Sequence, residues 1–119
     1  SGASDIETAL TCLSARVKTI GVKMGASGAV AIQGGRRFEA AGVPVTVIDA
    51  VGAGDSFDAG FLHQFLQGTD LATCLAYGNI CGAFSATDRG GKEAFCDPAR
   101  MQNFLLRHAA VTPHDRSQI

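Results

Sequence analysis

With 119 residues, 46% of them hydrophobic, the chain is long enough to enclose one core. Ten Lys and Arg against eleven Asp and Glu leave a net charge of −1, which gives no bulk electrostatic attraction for nucleic acid or an anionic membrane. No apolar run reaches membrane-spanning length, no secretory signal is evident, and Cys12, Cys74, Cys81 and Cys96 form no C-x-x-C pair, so free thiols in a cytoplasmic protein are expected.

Ser4 and Glu7 stand at capping-box spacing, and Ile6, Leu10 and Leu13 fall on one face behind them, which predicts a first amphipathic helix. Residues 20–24 read as a strand, Gly25 to Gly28 as a turn and residues 29–32 as a second strand. Gln33-Gly34-Gly35-Arg36 carries the composition of a hairpin turn and leads into a third strand over residues 37–40. Gly42 to Pro44 interrupts the pattern.

Val45 to Ile48 is a β-branched run of the kind buried on both faces of a parallel sheet. Asp49 to Asp55 turns the chain, and from Ser56 a helix follows with Phe57, Phe61 and Phe65 on one stripe and Leu62 and Leu66 beside it, ended by Gly68. Gly52 and Gly54 allow a tight turn with several N–H groups close together. The helix start adds unpaired donors and partial positive charge suited to an anion. A carboxylate at Asp55 would repel a bound phosphate, and a role that justifies it is to accept a proton from an attacking hydroxyl. Taken on spacing alone, Asp55 could equally cap the helix over a plain tight turn.

Thr69 can cap the next helix, with Asp70 in its first turn and Leu71, Cys74, Leu75 and Ile80 as its apolar face. Ala72, Ala76, Gly78, Gly82 and Ala83 admit a close neighbour: another helix, the sheet or a flat purine ring. Asn79 lies among them. Thr87 to Gly91 reads as a surface turn in which Asp88 and Arg89 could form an exposed pair. Asp97-Pro98 supplies a cap and a first-turn proline for a last helix with Met101, Phe104, Leu105 and His108 facing inward, and residues 111–119 read as a tail. His63, His108 and His114 share no zinc spacing, and neither Ser27 nor Ser56 sits in a Gly-x-Ser-x-Gly elbow.

The string from Asp49 to Phe61, Asp-Ala-Val-Gly-Ala-Gly-Asp-Ser-Phe-Asp-Ala-Gly-Phe, resembles the C-terminal signature of the ribokinase-like (pfkB) carbohydrate and nucleoside kinases. It departs from the family's usual Asp-Thr-x-Gly-Ala-Gly-Asp-x-Phe at Ala50, where a hydroxyl that would bond within the turn or beside a cation is missing. The resemblance implies an α/β fold: the C-terminal part of a three-layer α/β/α architecture with a mostly parallel sheet. Residues 1–110 would form a partial nucleotide-binding and catalytic-loop domain, followed by the tail.

By the same resemblance Asp55 is the catalytic base, the amides of Gly52, Ala53 and Gly54 form the anion hole, and Asp49 belongs to a monovalent-cation site taking K+. The turn at Thr87 to Gly91 would close that site with backbone carbonyls. Gly25 and Gly28 match the loop beside the nucleotide phosphates, with Lys23 either a phosphate neighbour or a solvated strand residue. Residues 41–45 would border the adenine, and Asn79 would lie against it. ATP and Mg2+ are the implied cofactors, and a sugar is the acceptor in the complete enzyme. Family members are longer, and their sugar-holding residues and the Asn-x-x-Glu region associated with Mg2+ find no counterpart here.

The expected activity is therefore direct transfer of the ATP γ-phosphoryl group to a sugar hydroxyl by the complete enzyme. This chain alone is expected to be inactive and to assemble as a homo-oligomer or with a missing N-terminal portion. The alternative is a non-catalytic nucleotide-binding or structural module derived from such a kinase. Neither nucleic acid nor membrane is an expected partner.

Overall fold

The structure, a computed structural model, describes residues 2–109. The alternating apolar residues between glycine turns make a three-stranded antiparallel sheet: β1 (Thr19–Lys23), β2 (Ala29–Gln33) and β3 (Arg36–Ala40), in that order. Val22 lies opposite Val30, and Ala31 opposite Phe38. The β2–β3 hairpin closes through Gly34 and Gly35 at φ of 58° and 80°, the paired positive angles that a two-residue hairpin turn requires.

Period-two alternation gives the sheet two different faces. Ala29, Ala31, Phe38 and Ala40 pack on Leu71, Ala72, Leu75 and Ala76 of helix α3 (Leu71–Ala86), while helix α1 (Gly2–Ser14) lies against β1 and β2. Arg37, which points away from the α3 face, is paired with Glu7 of α1 at 2.9 Å. Helix, sheet and helix thus form an α/β/α sandwich around these strands. Helix α2 (Ala53–Leu66) packs on α3, and helix α4 (Pro98–Ala109) closes a second cluster of Ile80, Phe84, Ala94 and Phe104. Enclosed by the sheet, α2 and α4, α3 is buried around most of its circumference. It therefore has no polar stripe.

Several expectations change. The Val45 to Ile48 run is not a strand: the Ile48 and Asp49 N–H groups both donate to the Ala86 carbonyl, at 2.8 and 3.2 Å, and Val47 and Ile48 are 59% and 58% exposed. A strand exists only where a neighbour completes its ladder, and no such neighbour stands beside this segment among the described residues. The three strands described, joined in order by short turns, pair antiparallel. Of the aromatic stripe of α2, Phe57 and Phe61 are half-buried on the core but Phe65 is exposed, as are Leu62 and Leu66 beside it.

Helix starts also shift. α1 begins at Gly2, which places Ser4 inside its first turn rather than at the cap, and α2 begins at Ala53 instead of Ser56. α3 is capped by Asp70, whose carboxylate accepts the Thr73 N–H at 2.8 Å; Thr69 instead donates its hydroxyl to the Gln64 carbonyl. The Asp97 cap of α4 is found as expected, accepting from the Arg100 N–H at 3.2 Å. Cys12, Cys74, Cys81 and Cys96 are free, and burial pushes the Cys81 thiol up to about 11. Among the described residues no helix is long and apolar enough to cross a membrane. His114 and the expected tail lie outside the described residues.

Candidate active site

The glycine turn delivers its donors by a specific backbone route. Gly52 adopts a left-handed conformation, φ 79°, and occupies the cap position of α2 without any side-chain cap. The Ala53 N–H donates to the Ala50 carbonyl at 3.2 Å and the Ser56 N–H to the Gly52 carbonyl at 2.9 Å. Among the described residues no acceptor takes the N–H groups of Gly54 or Asp55, so two helix-start donors stay open to a ligand. Asp55 lies in the first turn, exposed, and its carboxylate forms no hydrogen bond or ion pair within the described residues. It is not a helix cap.

Small residues seat that helix start. A Cβ on Gly82 would stand 3.0 Å from the Ala53 carbonyl oxygen, one on Gly78 2.9 Å from the Phe57 ring, and one on Gly60 2.7 Å from Cys81 Sγ. The close neighbour admitted by Gly78 and Gly82 of α3 is therefore the motif helix itself, whereas Ala72 and Ala76 face the sheet. Their near-contact with Ala53 and Phe57 sets the depth at which the turn sits.

Asp49 anchors the other side of the turn. Its Oδ1 accepts the Val51 N–H at 2.9 Å and its Oδ2 the Gly90 N–H at 3.0 Å. The bond from Gly90, then that from Val51, holds the carboxyl below the ordinary aspartate range. Gly90 donates from a turn at φ 75° that follows the end of α3, so the motif loop and the Thr87 to Gly91 turn meet at Asp49. That turn is itself held by α4. Arg100 donates to Asp88 Oδ2 at 3.0 Å, to the Thr87 carbonyl at 3.2 Å and to Thr87 Oγ1 at 2.8 Å, with its guanidinium over the Phe84 ring. The ion-pair partner of Asp88 is thus Arg100 and not Arg89. The Arg89 backbone N–H, bonded to Asp88 Oδ1, and the Arg100 side chain together lower the Asp88 pKa.

On the sheet side, Gly25–Ser27 forms a short 3-10 turn. Gly25, at φ 57°, is exposed with open space where a side chain would project. Gly28, at φ 98°, is buried against the backbone of Ala40 and Gly42, where no side chain fits. Lys23, just before this loop, reaches the first turn of α2, where its Nζ donates to Asp58 Oδ1 at 2.9 Å and to the Gly54 carbonyl at 3.3 Å. Lys23 thereby ties the end of β1 to the first turn of α2.

Asn79 is used differently from a free recognition group. Its amide nitrogen donates to the Ala40 and Ala41 carbonyls at 3.1 and 3.0 Å, and the residue is buried. It therefore fixes the start of the 41–45 segment against α3. An open cleft of about 800 Å³ runs beside that segment, lined by Ser27, Gly42, Val43, Pro44, Ala76 and Ile80 among others. Gly52 to Asp55 do not border it. The open N–H groups and the carboxylate place the candidate chemistry at the turn rather than in the cleft.

The family model described as pfkB family carbohydrate kinase matches residues 1–98. The chain belongs to this family. A sugar kinase of Archaeoglobus fulgidus, described as uncharacterized, is 34% identical over 82 residues, covering 69% of this chain and 33% of that protein. Among solved structures, a fructokinase double mutant of Vibrio cholerae with fructose, ADP and potassium bound superposes with a TM-score of 0.73 at 28% identity, covering 84% of this chain and 34% of that one. A candidate ribokinase II of E. coli in complex with ATP and Mg2+ gives a TM-score of 0.74 at 33% identity, with 86% and 33% covered. The fold of this pfkB-family chain is accordingly that of the ribokinase group. It spans about a third of the length of these relatives.

Within this pfkB-family chain, reading the sequence singled out Gly52 to Asp55, Asp49, Gly25 and Gly28; the fold joins Asp49 to the turn, and the Lys23 side chain links the strand before the Gly25 loop to α2. It missed Arg100 and the Lys23–Asp58 pair. Asp58 sits one helical turn past Asp55, and Lys23 lies 35 positions before it. Nothing in the local pattern connects residues so far apart.

Proposed function

We propose that this chain is the C-terminal, catalytic-loop portion of an ATP-dependent kinase acting on a sugar hydroxyl. Asp55 would take the proton of the acceptor hydroxyl as its oxygen attacks the γ-phosphorus and the bond to the ADP oxygen breaks. The Gly52 and Gly54 amides, with the Asp55 N–H, would stabilise charge on the transferred group, whereas the Ala53 N–H that the motif would add is engaged by the Ala50 carbonyl. The observation that carries this reading is the exposed, unbonded Asp55 carboxylate directly beside the open N–H groups of Gly54 and Asp55. Such a pairing offers a base and an anion site a few atoms apart.

Nucleotide phosphates would lie near Gly25, with adenine toward the 41–45 segment that Asn79 holds; in this reading Asn79 acts chiefly by fixing that segment. Gly28 serves the loop by packing rather than by touching ligand. Support for ATP and Mg2+ comes from the E. coli relative bound to both. Mg2+ is usually held through substrate phosphates with one or two carboxylates, so it would be carried mainly on the ATP phosphate oxygens. A K+ ion suits Asp49, a carboxylate kept charged beside the turn at Thr87 to Gly91, and the Vibrio cholerae relative carries potassium. That ion would supply positive charge behind the anion hole.

The acceptor site would come from outside this chain, which alone would not phosphorylate a free sugar. Residues 1–110 form the folded unit in this reading, and the cytoplasm is its proposed location. In the complete enzyme Asp55→Asn should keep nucleotide binding and lower turnover by at least about 10²-fold. Near-normal turnover would remove Asp55 from the role of base.

A second reading, a non-catalytic assembly module, is favoured by the unpaired Val45 to Ile48 segment and by exposed Val47, Ile48 and Val51. A homo-oligomer covering this segment would grow with concentration in sedimentation. A strictly monomeric species would reject it.

A further inference from the structure

Lys23 ends β1 and crosses to the first turn of α2. Besides its bonds to Asp58 and the Gly54 carbonyl, its Nζ lies 6.0 Å from the centroid of the Phe57 ring. A Cβ on residue 54 would stand 3.4 Å from that nitrogen, which shows how closely the ammonium lies against the Gly54 backbone.

That oxygen belongs to the same peptide unit as the Asp55 N–H, one of the two donors left open at the turn. A cation on the carbonyl draws electron density out of the amide and makes its N–H a stronger donor. Asp58, one turn along the same helix, holds the ammonium in place. With the two side chains 44% and 52% exposed, the ion pair adds little to folding stability. Its geometric effect falls on the open donor.

We propose that Lys23 is a positioning residue that orients and polarises the Gly54–Asp55 peptide, with Asp58 as its anchor, so that the Asp55 N–H is set for a phosphoryl group. The link to phosphoryl transfer rests on the anion-hole reading above; the link between Lys23 and the peptide does not.

Amide spectra of the 15N-labelled chain test the two separately. In Lys23→Met the Asp55 amide proton should move upfield, in Lys23→Arg it should return most of the way, and in Asp58→Asn it should shift in the same direction as in Lys23→Met by a smaller amount. The Ala31 and Leu75 amides in the core should stay in place and report an intact fold. An Asp55 amide unmoved in Lys23→Met, or in Asp58→Asn should the first variant not fold, overturns the proposal. ATP is then titrated into each protein. Loss of one charge-assisted contact should weaken the ATP response at Gly54 and Asp55 by about tenfold in Lys23→Met, with recovery in Lys23→Arg. Equal ATP affinity in wild type and Lys23→Met overturns the positioning role. If ATP leaves residues 52–55 undisturbed in the wild type, the anion-hole reading and the positioning for phosphoryl transfer fall together, while the amide shifts alone decide the Lys23–peptide link.

Discussion

Asp49 and Gly90 are 41 positions apart in the chain, yet the Gly90 N–H donates to Asp49 Oδ2 at 3.0 Å. This bond closes the motif loop onto the turn after α3, and Arg100 holds the far side of that turn through Thr87 and Asp88. The position of the glycine turn thus depends on α4, an element with no motif of its own.

The acid limb of stability should report this contact. An aspartate whose folded pKa lies below its unfolded value, about 3.9, stabilises the fold above that value and loses the contribution as pH falls through the folded pKa. Both bonds to Asp49 lower its pKa, so its carboxyl should titrate below an unperturbed aspartate, with the Val51 and Gly90 amides moving at the same midpoint. In Asp49→Asn the shared midpoint should vanish from both amides. A 13C carboxyl titration placing Asp49 at or above the ordinary value would contradict the bonded geometry.

The glycine contacts between α2 and α3 predict a sharp contrast. Gly78→Ala drives a methyl group into the Phe57 ring and should cost about 1–3 kcal/mol. Gly21→Ala, whose Cβ meets nothing within 4 Å, should be near neutral. Urea unfolding of the two variants measures the difference, and equal midpoints would mean that the helices separate without cost.

Asn79→Leu keeps the branched shape and the number of side-chain heavy atoms, though with bulkier methyl groups, and leaves the Ala40 and Ala41 carbonyls without their shared donor. Stability should fall by about 1–3 kcal/mol, with amide shifts concentrated at Gly42 and Val43. Unchanged stability would show that the 41–45 segment is held by something else.

Much of the site region was legible because its determinants are local. A left-handed glycine before a helix, two glycines at a hairpin, and Asp-Pro at a helix start each act through backbone geometry within a few residues, so the Gly52 turn, the β2–β3 hairpin and the Asp97 cap could be read directly. The resemblance carried by Asp49 to Phe61 reached the family for the same reason: the motif is one contiguous turn and helix. Boundaries slipped where two local solutions compete. Thr69 and Asp70 can each cap a helix, and the bond from Thr69 to Gln64 left the cap to Asp70.

Composition and local pattern determined the hairpin, the glycine turn with its following helix, and the charge balance. Only the tertiary structure decided that Val45 to Ile48 stays unpaired, that Asn79 spends its donors on Ala40 and Ala41, that Asp88 pairs with Arg100, and that Lys23 reaches Gly54 and Asp58. A turn is set by torsional preferences a residue carries with it. A strand's ladder, a buried amide's acceptor and an ion's partner are supplied by whatever the fold brings alongside, and β-branched residues or an Asn meet their requirements in more than one way until packing selects a neighbour.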